Sequence, residues 1–504
     1  MENSIQQFLS LGIENITEIF NKGYEDPQDM YSVITGVFKE MDTLALNILA
    51  DYIRSVDQAI FEDRLRKRHY KSEGFDDRIL TTSRGDIRFR ARWYTDKETN
   101  QSICLLEKVL GLLKDERVTE EAQVKVLERC VEHSYRESGC LSEVNEQLLS
   151  KQTVKNLIHS LEFPSPEKPE KKKEVDYLYI DADEDHIAQQ FIMEKGDLPK
   201  DSLGRKINTM LGKMVYVYEG VERETIKTRK QESVRYRLVN PYNFCGLYEG
   251  TEGNNALWEE VYTYIEEHYE IEKLRKIYLN ADGGSWIEAG KWRFGKKLET
   301  ALDGFHLTKA IHRMTSQMLD SAGEAGSRIR EKISDDDQEG FKKLAEELKG
   351  YCETESQTKN VAEAAQYIQN NWAGARTRLR AKMVEESHCV GSSTEAHVYH
   401  ILSRRMSTLP MAWSHKGADQ MCRLRAYYKN GGDMRKLVQF TREQAQLKKA
   451  AGAETDQIPD KISLKKVLKG TTVTDPDRRY LERWQGSLSR DIKKKFWFAN
   501  HYCL

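Results

Sequence analysis

The sequence predicts an α/β protein of several domains. The chain has 504 residues, more than one hydrophobic core normally organises. A stretch rich in proline and charge, Pro164–Glu174, separates a mixed N-terminal region from a region in which strands and helices alternate. From Leu307 to about Lys382 nearly every segment has helical spacing and is heavily charged. These observations predict an α/β core with an all-α insertion, preceded by an α+β region.

The composition argues against a membrane or secreted protein. Charged residues make up 32% and hydrophobic residues 39% of the chain, and no run approaches the roughly 18 apolar residues of a membrane span. The first residues lack the basic start and the small-residue cleavage site of a secretory signal. The eight cysteines are scattered and form no zinc-type cluster, so we expect them to be reduced. We therefore expect a soluble, cytoplasmic protein with no membrane partner.

The N-terminal region contains a basic strand pattern. Residues 86–94 alternate strictly between apolar and other residues, which predicts a half-buried strand. Its outer face carries Arg88, Arg90 and Arg92. Three arginines on one face of a strand either are simply exposed to solvent or form a surface that binds DNA phosphates. The pattern alone favours the solvated face, and the net charge of −2 argues neither for nor against nucleic-acid binding. The three arginines are therefore kept as candidate DNA-binding residues.

A second pattern in this region resembles a helix-turn-helix. From Val118 to Leu161 the apolar residues follow helical spacing in three pieces, of which the middle one contains Leu141, Val144 and Leu148. Ser150 is suited to cap the last helix. Residues that contact base edges and phosphates lie off the apolar stripe of that helix: Lys151, Gln152, Lys155, Asn156 and His159. The sequence therefore predicts a DNA recognition helix, although small helical bundles share the pattern.

The region after the linker has the order of an RNase H-like core. Three strands, a helix, a strand and a further α/β step define that order. The predicted elements are the strands Val175–Asp181, Met214–Tyr218 and Arg235–Val239, the helix Asn254–Glu272, the strand Lys276–Leu279 and the step Leu298–Ile311.

Two acids follow strands of this predicted core. Asp183 lies just past the apolar run Tyr177–Ile180, and Asp282 lies just past Ile277–Leu279. Cleavage of a phosphodiester by two metal ions needs carboxylates that hold the ions about 3.5–4 Å apart. If the two strands are adjacent, their ends bring the two carboxylates together. Spacing alone favours ordinary turns, in which acids at strand ends are common.

Several segments together carry a family resemblance. They are YIDADEDH (179–186), LNADGGSW (279–286), LDGFH (302–306), EAHVYHILSRRM (395–406) and PMAWS (410–414). These segments resemble ISLre-type bacterial insertion-sequence transposases, a family long catalogued only as uncharacterised. The resemblance extends from residues 81–94 to about residue 425 and so covers most of the chain. More distantly, the chain resembles Mutator-like transposases, which carry a helical insertion between their second and third acids.

The resemblance implies a catalytic triad of the DDE type. Its members, Asp183, Asp282 and Glu395, are expected to be both the catalytic residues and the ligands of Mg²⁺ or Mn²⁺. Other acids lie near two of these positions and stay open as alternatives: Asp181 and Asp185 for the first, and Glu385 and Glu386 for the third. The helix that opens at Glu395 carries His397, His400 and Arg404, which would face the scissile phosphate.

Three further side chains have ordinary structural explanations. His306 is expected to start a helix and to hydrogen-bond Asp303 rather than bind metal. Trp286 and Trp413 are expected in the core rather than against DNA bases.

The sequence thus predicts a DDE transposase that binds element ends, cleaves them and joins the freed 3′ ends to target DNA. Its partners would be double-stranded DNA and further copies of itself. A helix-turn-helix regulator and an inactive transposase remnant are the alternatives. The expected organisation is a DNA-binding region (1–163), a linker (164–174), the first part of an RNase H-like core (175–306), a helical insertion (307–390), the last part of the core (391–430) and a basic C-terminal extension (431–504).

Overall fold

The computed structural model describes residues 2–142, 147–191, 196–200, 204, 207–227, 232–381 and 394–452. The chain divides into two compact units. Unit 1 comprises residues 1–125, 140–149 and 442–504, and unit 2 comprises residues 126–139 and 150–441. Residues 150–163, which the sequence groups with the N-terminal region, thus lie in the same unit as the predicted core.

The elements up to residue 159 include a short three-stranded sheet. In chain order they are α1 (Glu2–Gln7), α2 (Ile13–Glu25), α3 (Met30–Glu62), α4 (Arg64–His69), β1 (Tyr70–Thr81), β2 (Asp86–Asp96), β3 (Ser102–Ile103), α5 (Leu105–Leu110), α6 (Glu120–Cys130), α7 (Tyr135–Ser138), β4 (Cys140–Ser142), β5 (Gln147–Leu148) and α8 (Lys151–His159). A π-helical turn, Phe8–Gly12, joins α1 to α2.

The core of unit 1 lies between β2 and the C-terminal half of α3. Strands β1, β2 and β3 form an antiparallel sheet. The alternation predicted for β2 is confirmed at Ile87, Phe89 and Ala91, which are buried. Trp93 is only partly buried, since its Nε1 donates to Asp76 at the surface, and the neighbouring Tyr94 is fully buried.

The prediction of a middle helix in the helix-turn-helix is wrong. The segment around Leu141 and Leu148 forms the antiparallel pair β4–β5, and Val144 lies outside the described residues. These strands have only two or three residues each, so an apolar spacing of three and four residues does not distinguish them from a helix. The start of α8 is confirmed, because the Ser150 Oγ accepts the backbone N–H of Thr153 at 3.1 Å.

The elements after residue 175 build unit 2. They are β6 (Tyr177–Ala188), β7 (Thr209–Tyr218), β8 (Gly220–Lys227), β9 (Glu232–Val239), β10 (Tyr242–Gly246), α9 (Gly250–His268), β11 (Lys276–Ala281), α10 (Ser285–Lys291), β12 (Leu298–Leu302), α11 (Gly304–Thr315), α12 (Ala322–Ser334), α13 (Gln338–Lys349), α14 (Glu355–Asn370), α15 (Trp372–Ala381), α16 (Thr394–Val398), α17 (Arg404–Met406), α18 (His415–Lys429) and α19 (Met434–Gly452). The end of α19 belongs to unit 1.

A five-stranded mixed sheet organises unit 2. Its order is β10-β7-β6-β11-β12. β10, β7 and β6 pair antiparallel, whereas β6, β11 and β12 pair parallel. The large side chains of α9 and α10, among them Trp258 and Trp286, pack in one core with the residues of this sheet.

The prediction that Arg235–Val239 is the third strand of this sheet is wrong. Arg235–Val239 lies in β9, which pairs with β8 as a separate two-stranded ribbon. Oppositely charged residues face each other across the ribbon, as in Glu222↔Arg237 and Glu224↔Arg235, and these side chains suit water rather than a core. The third place in the sheet belongs to β10, where Phe244 and Cys245 are buried.

The segment predicted as a helical insertion is helical where it is described. Helices α11 to α15 enclose a second core of their own, which includes Phe341 and Trp372. Residues 382–393 and 453–504 lie outside the described residues, so the open candidates Glu385 and Glu386 do too. Across the described ranges, no helix is long and apolar enough to cross a membrane. The described cysteines are free thiols: Cys104, Cys130, Cys140, Cys245, Cys352 and Cys422.

Candidate active site

Three aspartates directly follow the last parallel-paired residues of three neighbouring strands. In the pairing register Ala182 of β6 lies opposite Ala281 of β11, and Ala281 lies opposite Leu302 of β12. The residues that follow these three are Asp183, Asp282 and Asp303. Because the carboxyl ends of parallel strands share one edge of the sheet, the register alone brings the three carboxylates to one place. They line a small polar pocket together with Asn280 and His306.

Asp183 occupies a position that disfavours its charge. β6 continues to Ala188 on its β7 side, so Asp183 lies within the strand, opposite Met214. Burial raises the pKa of its carboxyl to about 6, and the nearby carboxylates of Asp282 and Asp303 act in the same direction. The backbone N–H of Glu184, which donates to Asp183 Oδ1 at 2.8 Å, only partly offsets this. A bound cation would remove the penalty by compensating the charge.

Asp282 sits on a sharply turned loop. Its Oδ1 accepts the backbone N–H of Gly284 at 2.9 Å, and its carbonyl oxygen accepts the hydroxyl of Tyr367 at 2.6 Å. Gly283, which lies between Asp282 and Gly284, has φ +92°, and a Cβ there would lie 2.2 Å from Asn371 Oδ1. The turn therefore requires glycine, and Tyr367 of α14 ties the helical region to the loop that carries Asp282.

Asp303 and His306 form a local pair at the start of α11. Asp303 Oδ1 accepts the backbone N–H groups of Phe305 and His306 at 2.9 and 3.2 Å and caps the helix. His306 Nδ1 lies 3.3 Å from the same oxygen, as an ion pair when the imidazole is protonated, but the geometry is not that of the predicted hydrogen bond. The carboxylate of Asp303 raises the pKa of His306 despite its burial. Asp303 Oδ2 is buried and has no hydrogen-bond partner.

Asp181 lies beneath these acids in a fully buried network. Its carboxylate accepts the hydroxyls of Tyr216 and Tyr218 at 2.6 and 3.1 Å and the Nδ2–H of Asn280 at 2.6 Å. Arg378 donates to Asn280 Oδ1 at 2.8 Å and to the carbonyl oxygen of Leu302, also at 2.8 Å. This network links the three neighbouring strands β6, β11 and β12 next to the acidic pocket.

Of the other candidate acids, Asp185 has a described side-chain contact, whereas for Glu395 only the backbone is described. Asp185 accepts the hydroxyl of Ser407 at 2.6 Å. Glu395 lies in α16, and its side chain is outside the described side chains. α16 packs against β6, the strand that carries Asp183. Two residues after Glu395, the ring of His397 lies over that of Tyr216 with centroids 4.3 Å apart, and burial lowers the His397 pKa to about 4. His397 therefore anchors α16 as a neutral, packed side chain.

The donor chemistry of the pocket fits a hard divalent cation. Such ions take carboxylate oxygens, and the pocket offers Asp183, Asp282 and the unpartnered Oδ2 of Asp303. Within the described part of the chain, no three Asp, Glu, His or Cys side chains are already grouped as a metal site. The described residues thus supply part of a ligand set.

The arginines predicted to bind DNA lie in unit 1, and each is paired with an acid. Arg88 and Arg90 have side chains 74% and 67% exposed and lie 3.8 and 3.5 Å from Asp86 and Asp77. Arg92 is only 14% exposed, because it pairs with Asp57 at 3.3 Å and its guanidinium lies 4.0 Å over the ring of Phe61. Arg88 and Arg90 are therefore the accessible members of this row.

The candidates on α8 lie in unit 2. Lys151, Gln152 and Lys155 line a cavity, and Gln152 Nε2 donates to Asn156 Oδ1 at 2.7 Å. Trp286 and Trp413 are each 6% exposed and belong to the core, as the sequence predicts. Asp303 is the acid of the pocket that the sequence named only as a partner of His306 and not as a candidate metal ligand, although its position directly after β12 matches those of the other two.

Comparison with known proteins assigns the chain to a family. Residues 29–444 match the sequence model of an uncharacterised protein family, UPF0236. The chain belongs to UPF0236. Similar relatives are the UPF0236 proteins TTE0402 and TTE2489 of Caldanaerobacter subterraneus subsp. tengcongensis, which are 32% and 31% identical to this chain over 426 residues. The alignments cover 84% of this chain and 79% and 84% of the relatives.

One of the solved structures that match this UPF0236 protein is a distant match. It is described as the Drosophila P element transposase strand transfer complex. The match covers 67% of this chain and 84% of the other, with a TM-score of 0.22 and 10% identity. That likeness is too weak to assign a fold or an activity.

Proposed function

We propose that this UPF0236 protein is a DDE-type DNA transposase that cleaves phosphodiester bonds at element ends and joins the 3′ ends to target DNA. The observation that carries the proposal is the placement of Asp183 and Asp282 directly after paired residues of adjacent parallel strands. Strand-end carboxylates at one edge of a sheet are suited to hold a pair of divalent ions.

The order of elements supports an RNase H-like core. Unit 2 runs through three antiparallel strands of the main sheet, the helix α9, the parallel strand β11 and the step from β12 to α11, with the β8–β9 ribbon inserted. Helices α11 to α15 lie between Asp282 and Glu395 in the chain, where the resemblance to Mutator-like transposases expects an insertion. After this insertion, the chain continues into α16, which contains Glu395 and packs against β6.

In the proposed mechanism Asp183, Asp282 and Glu395 would hold Mg²⁺ or Mn²⁺. When bound, the metal ions activate the attacking water or 3′-hydroxyl and stabilise the leaving oxygen. Asp183, whose pKa burial raises to about 6, is largely ionised near neutral pH, and a bound cation would compensate its charge. Asp303 favours the protonated form of His306, which would place a positive charge at the pocket wall where it suits a phosphate oxygen.

Double-stranded DNA is the proposed macromolecular partner. Arg88 and Arg90 present exposed guanidinium groups that suit the backbone of an element end or of target DNA. Arg92 contributes least to this surface, since Asp57 and Phe61 already engage it. Lys151, Gln152, Lys155 and Asn156 on α8 form the second proposed contact region.

A homo-oligomer has a candidate surface in unit 1. Between Ile13 and Leu49 no side chain is buried, yet two helices expose a row of large apolar residues. They are Ile13, Phe20, Tyr24, Tyr31, Ile34, Phe38 and Met41. Helices α1 and α2 together pack against α3. At a rise of ~1.5 Å per residue and a diameter of about 10 Å per helix, this helical pair presents a face about 36 Å long and 20 Å wide. Its face of about 700 Å² approaches the ~800 Å² that each partner of a standard interface buries. We therefore propose that a second copy packs on this face.

A cleavage assay separates this function from its alternatives. Purified full-length protein is incubated with labelled DNA carrying the element ends, with Mg²⁺, with Mn²⁺ or with EDTA. A transposase cuts and joins only with metal. A helix-turn-helix regulator binds the ends equally well in all three conditions and cuts in none, and an inactive remnant binds metal without joining DNA.

A further inference from the structure

A second polar cavity in unit 2 is built from residues other than those of the acidic pocket. It is open to solvent on one side and has a volume of about 380 Å³, and its lining comes from α7, α8, Gln190, Arg405, the segment 411–414 and the start of α18. A cavity of this size falls in the range of small-molecule sites, ~300–1,000 Å³. None of its lining residues is among the catalytic candidates.

The wall of this cavity contains a buried arginine with no paired acid. Arg405 is 3% exposed. Its guanidinium donates to the carbonyl oxygen of Cys130 and contacts Met411 Sδ at 3.2 Å, and it lies 4.8 Å over the Trp413 ring. No carboxylate of the described residues lies within 4 Å of it. A buried guanidinium without an anion is costly, so the site is incomplete as it stands.

The acids closest to Arg405 are engaged elsewhere. Glu132 pairs with Arg404, Arg425 and Lys429. Glu137 is held in the capping box of α7, where its side chain accepts the backbone N–H of Ser134 at 3.0 Å. Neither acid is therefore the missing partner of the buried guanidinium.

Further cations converge on the same cavity. Arg136, Lys151 and Lys155 line it, and in the described part of the chain none of the three forms an ion pair. His159 lies beside them, and its pKa is lowered by burial and then by the positive charges of Lys155 and Lys416. The cavity therefore has a strongly positive potential, with several donors and no acid on its wall.

Neutral donors complete the wall. The hydroxyl of Tyr135 is buried without a hydrogen-bond partner. A Cβ added at Gly417 would meet Ser414 Oγ at 2.9 Å, His159 Nε2 at 3.1 Å and Tyr135 Oη at 3.7 Å. Three polar groups thus converge near one glycine at the start of α18, where any side chain would be crowded.

We propose that this cavity binds the phosphate group of a nucleotide, with Arg405, Lys151 and Lys155 supplying the charge and Tyr135 a neutral hydrogen bond. The size of the cavity admits more than a bare phosphate, and the number of unpaired cations suits a phosphate better than a single carboxylate. The phosphate comes either from a DNA backbone, in which case the site deepens the proposed function, or from a free nucleotide, in which case it stands independently of it.

The test compares two surface substitutions with a matched control in the full-length protein. The variant Lys151→Gln/Lys155→Gln removes two cations from the cavity. The control Lys342→Gln/Lys343→Gln removes two exposed cations from α13. Binding of inorganic phosphate, deoxyadenosine monophosphate and a 20-base-pair duplex is measured by calorimetry and fluorescence anisotropy, and the duplex is also titrated at several salt concentrations.

For phosphate and the nucleotide, we expect at least a tenfold loss of affinity in the cavity variant and none in the control. If a DNA phosphate occupies the site, the salt dependence of duplex binding also becomes shallower by about 2 in log–log slope. Loss for the nucleotide with an unchanged duplex slope supports the same site with a free nucleotide as its ligand. Unchanged binding of all three probes overturns the proposal, whether or not the protein cuts DNA.

A second variant guards against effects of net charge. Tyr135→Phe keeps the ring that packs against Trp413 with centroids 6.0 Å apart and removes only the hydroxyl. We expect a three- to tenfold loss of phosphate affinity with an unchanged melting temperature. Unaltered phosphate affinity in this variant would contradict the assignment of Tyr135 as a donor.

Discussion

Asp303 Oδ1 lies 3.3 Å from His306 Nδ1, while Asp303 Oδ2 is buried without a partner in the acidic pocket. One oxygen is thus committed to the start of α11, and the other remains available at the edge of the sheet where Asp183 and Asp282 also lie. The pair therefore links local helix capping to the proposed catalytic chemistry.

Asp303→Asn should separate these two roles. Asparagine is a good N-cap, so α11 should keep its first turn and the melting temperature should change little. The negative charge beside His306 is lost, so the pKa of His306 should fall, as NMR titration can measure. We expect cleavage to slow by ten- to a hundredfold near neutral pH. An unchanged His306 pKa in the variant would show that Asp303 does not control that histidine.

Asp183 should impose a pH dependence on metal binding. Its pKa of about 6 means that a cation must displace a proton below that pH. The apparent affinity for Mg²⁺ should therefore weaken up to about tenfold per pH unit as the pH falls below 6. Calorimetric titrations at pH 5, 6 and 7.5 measure this, and an affinity that does not vary with pH would contradict the burial of this carboxyl.

Without metal, the same group should affect folding stability with a definite sign. The folded-state pKa lies above the ordinary value of 3.8, so the folded protein holds this proton more tightly than the unfolded chain. The contribution of Asp183 to the free energy of unfolding should rise as the pH falls from about 6 towards 4. Relative to Asp183→Asn, wild type in EDTA should be destabilised at pH 7.5 by on the order of 1–3 kcal/mol, and this difference should shrink at pH 5.

Asp181 and Asp183 should respond differently to the same substitution. Asp181 accepts three hydrogen bonds in the core, so Asp181→Asn should lower the melting temperature and leave partial cleavage. Asp183→Asn should abolish cleavage without lowering the melting temperature. Paired thermal melts and cleavage assays test this, and the reverse ranking would make Asp181 the first metal ligand.

The apolar face of α3 should determine the oligomeric state. Ile34→Glu/Phe38→Glu places two charges on that face and should reduce the mass measured by light scattering to that of the monomer. Ser32→Glu/Lys39→Glu changes another side of the same helix and should leave the mass of wild type. Identical masses for all three proteins would exclude this face as the contact between copies.

The sequence predicted the neighbouring strands of the acidic site because hydrophobic strand patterns and strand-end acids are local features. It did not single out Asp303 as a candidate metal ligand, since its role as the cap of α11 already explains the motif Asp303-Gly-Phe-His306. The third sheet strand was misplaced because β9 and β10 follow each other closely and only packing shows which one is buried. The cavity around Arg405 joins residues more than 250 positions apart, which no local pattern reveals.

The most direct test of the transposase proposal is Asp282→Asn, measured by a gel assay on labelled end DNA with and without Mg²⁺ at matched DNA occupancy. Asparagine keeps the oxygen that accepts the backbone N–H of Gly284 and removes the charge that a hard cation needs. Folding and end binding should survive, while metal-dependent cleavage and joining should fall to background. A variant that cuts as fast as wild type, or wild type that cuts in EDTA, would contradict the two-metal mechanism.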